Sequence, residues 1–73
     1  MNIYSFNQPV SHNVIRIINE KGLKQKSVAS KAGFSQQAFN AMLNGRRIIK
    51  VSDIEVLATA LGVSVNELYR KEG

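Results

Sequence analysis

Side chains able to do covalent or metal chemistry are few and dispersed in this sequence. His12 is the single histidine, cysteine is absent, and no carboxylate neighbours His12 along the chain. A thiol nucleophile, a disulfide framework and any thiolate zinc site are therefore excluded, and ligands for another metal centre are too few. The acids scatter over helix starts, where capping accounts for them. No Gly-rich phosphate loop is present. The reading is of a protein that is not an enzyme and needs no cofactor or metal.

Charge points elsewhere. Ten Lys+Arg face five Asp+Glu, a net charge of +5. Residues 1–50 hold Arg16, Lys21, Lys24, Lys26, Lys31, Arg46, Arg47 and Lys50 against Glu20 alone. Residues 51–73 hold Arg70 and Lys71 against Asp53, Glu55, Glu67 and Glu72. One basic pole suits a polyanion, of which nucleic acid is the commonest. A basic surface kept for solubility accounts for the charge equally well.

The elements that position these charges must come from a short chain. Seventy-three residues make one domain, and a chain of this size buries only ~60% of its unfolded surface. No apolar run approaches the ~20 residues that span a bilayer. The first ten residues carry no Lys or Arg, so no secretory signal is expected and the expected location is cytoplasmic.

The pattern reads as all-α, with five short helices behind an extended N-terminal arm, residues 1–10. In the domain at 11–73, Ser11 caps a helix to about Glu20, with Val14, Ile17 and Ile18 on one face. Motif helices follow at about 25–32 and 35–44, separated at Gly33. Phe34 and Phe39 staple the second, and Asn44-Gly45 closes it. Ser52-Asp53-Ile54-Glu55 reads as a capping box, stapled by Val51 and Val56. Ser64-Val65-Asn66-Glu67 repeats the device, with Val63 and Leu68 as its staple.

Two helices joined by a tight glycine turn form the helix-turn-helix, whose second helix enters the DNA major groove. Ala29 is small enough for the close crossing, and Gly33 suits the turn four positions later. Phe39, Met42 and Leu43 at i, i+3 and i+4 face back toward Val28 and Ala32. On these residues, residues 23–69 resemble the Cro/CI-type, or XRE-type, helix-turn-helix domain of lambdoid phage repressors. The matching strings are GLKQKSVASKAGFSQQAFNAMLNG and LATALGVSVNELY.

The resemblance implies a compact lambda-repressor-like fold and roles for individual residues. Gln25 matches a phosphate-contacting glutamine that also braces the head of the recognition helix, here Gln36. Gln36 and Gln37 match positions that read base edges, and a Gln amide can pair bidentately with adenine. Asn40 and Ala41, one turn on, are placed for further base or methyl contact. Asn44 matches a phosphate ligand, which Arg46 and Arg47 extend, with Ser35 at the helix start and Lys24 and Lys26 in the same set. Plainer readings stand beside these: solvated first-turn glutamines, a helix-ending Asn44, arginines at the negative end of a helix dipole, and a solvated lysine face. Lys24 departs from the Ser or Thr usual at its position, since lysine cannot accept a backbone hydrogen bond. The arm has no cation to wrap DNA, so Ile3, Tyr4 and Phe6 are expected to cover the core or meet a second subunit.

The resemblance further implies a homodimer on double-stranded DNA carrying a palindromic operator, with Ile48, Ile49, Val65 and Tyr69 as interface candidates or core. The expected function is a sequence-specific transcription regulator, a repressor, nucleoid-associated in the cytoplasm. The alternative is a protein-interaction module of the same fold, such as an antitoxin or co-regulator.

Overall fold

Asn2 opens the first helix, its Oδ1 accepting from the backbone N–H of Tyr4 at 2.8 Å. The computed structural model describes residues 2–71, in which six helices and no strand occur: α1 (Ile3–Phe6), α2 (Val10–Lys21), α3 (Gln25–Ala32), α4 (Gln36–Leu43), α5 (Val51–Leu61) and α6 (Val65–Leu68). Met1, Glu72 and Gly73, the outer ends of the expected arm and domain, lie outside the described residues.

The all-α class holds, with one helix more than expected. Residues read as an extended arm instead form the one-turn α1 and a turn into α2. A single turn is too short to display a helical period, so the pattern could not announce it. Nor does Ser11 cap α2. It is buried inside the first turn, and Pro9 takes the cap position, where a missing N–H costs nothing.

The core is a close-packed set around Val14, Val28, Phe39, Met42, Leu57 and Leu68, all fully buried. In it α2 packs on α4, α5 and α6, and α3 on α4 and α5. This mutual burial stabilises helices that are marginal alone. The radius of gyration, 11.0 Å, is what a compact chain of this length has.

Two further caps depart from the expected pattern, one in position and one in its hydrogen bond. α5 starts two residues early, with Lys50 rather than Ser52 at the cap and Asp53 Oδ2 accepting from the Lys50 N–H at 3.0 Å. Lysine offers no acceptor in return, so only the acidic half of a capping box forms. Val51 and Val56 then point outward, 74% and 40% exposed, and make no staple. Ser64 does cap α6 by position, but its side chain makes no cap hydrogen bond. Glu67 instead faces Arg16 at 3.6 Å and Arg70 at 3.7 Å.

Candidate nucleic-acid interface

The turn between α3 and α4 is set by Gly33, whose φ of 81° is left-handed and resisted by residues with a Cβ. Ala29 is buried at the crossing, and its carbonyl accepts from the Phe34 N–H at 2.9 Å. Ser35 then caps α4, its Oγ accepting from the Ala38 N–H at 3.1 Å. Phe34 packs against the core that holds Phe39. The start of α4 is thus fixed by a turn, a cap and an apolar anchor.

With Phe39, Met42 and Leu43 buried, the helical period leaves Gln36, Gln37 and Asn40 exposed on the other side. Ala41 is half-buried between the two faces. Gln37, Asn40, Ala41 and Arg46 line one shallow concavity of about 370 Å³. Three of the four expected base-reading residues are therefore brought together, with Arg46 at their edge. Gln36 is exposed one step away. Among the described residues no hydrogen bond joins Gln36 to Gln25, so the expected brace is not formed in this state.

Gln25, Lys24, Lys26 and Asn44 are all exposed. Lys24 stands at the cap of α3 and makes no side-chain cap bond, as its chemistry requires. Past α4 the chain turns at Gly45, φ 78°, and the N–H groups of Arg46 and Arg47 both donate to Ala41 O, at 2.8 and 3.1 Å. The two arginines diverge. Arg46 reaches the concavity, whereas the Arg47 guanidinium lies 5.8 Å from the centroid of the Phe34 ring, a cation–π arrangement.

Of the interface candidates, Ile49 is a correction: at 4% exposure it belongs to the core, because the chain after Gly45 must turn inward to reach α5. Ile48 and Tyr69 are exposed and line one apolar groove of about 380 Å³ with Phe6 and Val51. Val65 is also exposed but is not part of that groove.

Two buried amides escaped the sequence reading. Asn7 Nδ2 donates to Met42 O at 3.0 Å and Arg47 O at 2.9 Å, and its Oδ1 accepts from the Ile49 N–H at 2.9 Å. Asn13 Nδ2 donates to Leu68 O and Arg70 O, at 2.8 and 2.7 Å. Their partners lie 35 to 57 residues away, so no local signal existed to find them.

Among the described residues no cluster of three or more His, Cys, Asp or Glu is placed to hold a metal, and no helix is long and apolar enough to cross a membrane.

Comparison with known proteins agrees with this geometry. A family model described as a helix-turn-helix domain matches residues 19–70. An uncharacterized HTH-type transcriptional regulator of Sinorhizobium fredii, y4dJ, is 46% identical over 59 residues, which cover 81% of this chain and 77% of that protein. The crystal structure of the restriction-modification controller protein C.AhdI from Aeromonas hydrophila superposes with a TM-score of 0.80 at 26% identity, covering 90% of this chain and all of that one. The hypothetical transcription factor NHTF from Neisseria gives a TM-score of 0.80 at 28% identity, covering 89% and 75%.

Proposed function

The chain belongs to the helix-turn-helix family, in its Cro/CI-type branch, and from that membership we propose how it regulates transcription through double-stranded DNA. It acts as a repressor, a binding module rather than a catalyst, in the cytoplasm at the nucleoid. The observation that carries this reading is the α4 face, where Gln37, Asn40, Ala41 and Arg46 share one concavity over a buried Phe39–Met42–Leu43 anchor.

In this mechanism α4 enters the major groove. Gln36 and Gln37, at the N-terminal end that reaches deepest, pair with base edges through amides that donate and accept at once. Asn40 and Ala41 take the next bases or a thymine methyl group. Gln25, Lys24, Lys26, Ser35, Asn44, Arg46 and Arg47 hold the phosphates on either side, which sets register without carrying sequence information. A homodimer places two such helices on a palindromic operator, its halves about one helical turn apart. The exposed groove of Phe6, Ile48, Val51 and Tyr69 supports that second copy.

The test is selection from random duplexes at near-physiological salt, followed by sequencing of what is retained. An inverted repeat with centres about ten base pairs apart is expected. A single enriched half-site would replace the dimer by a monomer. No enrichment by folded protein would sink the DNA reading in favour of the protein-interaction module.

A further inference from the structure

The family model begins at residue 19, so the N-terminal segment lies outside the matched domain. It is nevertheless bound closely to the loop that follows the recognition helix. Asn7 is only 3% exposed, and its backbone is fixed by both neighbouring helices, Asn7 N–H donating to Ile3 O and Asn7 O accepting from Ser11 N–H. Its side chain spends both ends of the amide on residues 42–49: two carbonyls, Met42 and Arg47, and one N–H, Ile49. Only an amide supplies two donors and an acceptor in so small a space. An aspartate would face the carbonyls with no donor, and an aliphatic residue would leave Arg47 O and the Ile49 N–H unpaired and Met42 O with only the Gly45 N–H, at 3.4 Å.

A second, independent contact adds to this. A Cβ built on Gly45 would lie 2.6 Å from Tyr4 Cβ and 2.8 Å from Tyr4 Cα. The backbone of α1 therefore rests directly on the turn residue that follows the recognition helix. Between them, Asn7 and α1 hold the segment that carries Arg46 and Arg47.

We propose that residues 2–9 form a clasp that sets the position of the phosphate-gripping loop, with Asn7 as a positioning residue for DNA binding. The inference rests on the DNA-binding reading above. Without the Asn7 amide, Arg47 O and Ile49 N–H have no buried partner and the loop leaves its place beside Gln37 and Asn40. The head of α4 is held separately, by Gly33, Ser35 and the Phe39–Met42–Leu43 anchor. Phosphate grip and base reading are thus held by different parts of the fold, and removing the clasp separates them.

The experiment uses the full chain and a duplex carrying the selected site, with affinity measured across a salt series. Asn7→Ala is expected to bind about tenfold more weakly, with the slope of log K against log salt reduced by about one to two units, one for each phosphate that an arginine no longer reaches. The order of preference among single-base variants of the site stays as in the unsubstituted protein. In an Arg46→Ala, Arg47→Ala background the same substitution should change the slope no further, because its effect runs through those side chains. Mere destabilisation would lower the active fraction equally at every salt and leave the slope alone.

Should Asn7→Ala fail to fold, Asn2→Ala asks the same question from an exposed position. It removes the cap bonds to Tyr4 and Ser5 N–H and should lower the slope in the same direction by less. An unchanged slope in whichever variant folds overturns the clasp, as does a slope change that persists in the double-arginine background. Absence of selective binding by the unsubstituted chain overturns the DNA reading first, and the clasp with it.

Discussion

Arg46 and Gln37 line the same concavity, yet the proposed mechanism gives them different work. The guanidinium of Arg46 is a cation beside the proposed groove, suited to a phosphate of any sequence, whereas the Gln37 amide has the donor and acceptor that the proposed reading of base edges requires. Arg46→Ala should therefore weaken binding to all duplexes similarly and flatten the salt dependence by about one unit of slope. Gln36→Ala with Gln37→Ala should leave the slope nearly as it was and abolish preference between operator and scrambled sequence. Titrations of both variants on both duplexes check the pair, and a retained preference in the glutamine variant would remove those side chains from the base-reading set. The exposed placement of these residues was legible in the sequence because helical spacing and the family strings set it. The parting of Arg46 from Arg47 was not, since the Phe34 ring that draws Arg47 away is met only when α3 and α4 cross.

At the scale of elements, short helices are held in register by buried amides as well as by the core. α6 is a single turn, and Asn13 in α2 ties its end down through Leu68 O and Arg70 O while Arg16 donates to Asn13 Oδ1. Asn13 is fully buried, so Asn13→Ala leaves carbonyls without a donor, at a cost of about 2 kcal/mol. For a domain this small the midpoint of thermal unfolding should fall by roughly 10 °C. Val51→Ser, at a site 74% exposed, should stay within about 0.5 kcal/mol of the parent. Circular dichroism melts compare the two, and an unshifted midpoint for Asn13→Ala would mean that water replaces the amide. Helix existence was legible here from apolar period and glycine stops. Starts were less so: Ser11 and Ser52 carry the chemistry of a cap, but burial placed Ser11 inside α2, and the cap of α5 fell to Lys50, whose N–H donates to Asp53.

The whole molecule separates its tasks by face. The proposed DNA surface, from the start of α3 through α4 to Arg47, carries cations and amides. The groove of Phe6, Ile48, Val51 and Tyr69 is apolar apart from a few polar groups, Lys50 among them. If a second copy covers that groove, Ile48→Ser with Tyr69→Ser should weaken binding to a palindromic operator at least tenfold, through lost cooperativity. Binding to an isolated half-site should not change. Parallel titrations on the two duplexes decide it, and an equal effect on both would move the dimer interface elsewhere. Charge asymmetry was legible from the order of residues, but the groove was not, because it joins residues 6–10, 48–54 and 69 from three parts of the chain.

By itself the sequence determined the all-α class, the motif helices and the residues that α4 turns away from the core, since each follows from local period, turn chemistry or cap chemistry within a few residues. Tertiary structure alone decided that residues 2–9 are a bound segment rather than an arm, that Ile49 is core while Ile48 is surface, and that Asn7 and Asn13 are interior fastenings. Those outcomes depend on which distant backbone groups burial leaves without a partner. A buried donor or acceptor must be met wherever the fold happens to place it, and no spacing along the chain encodes that.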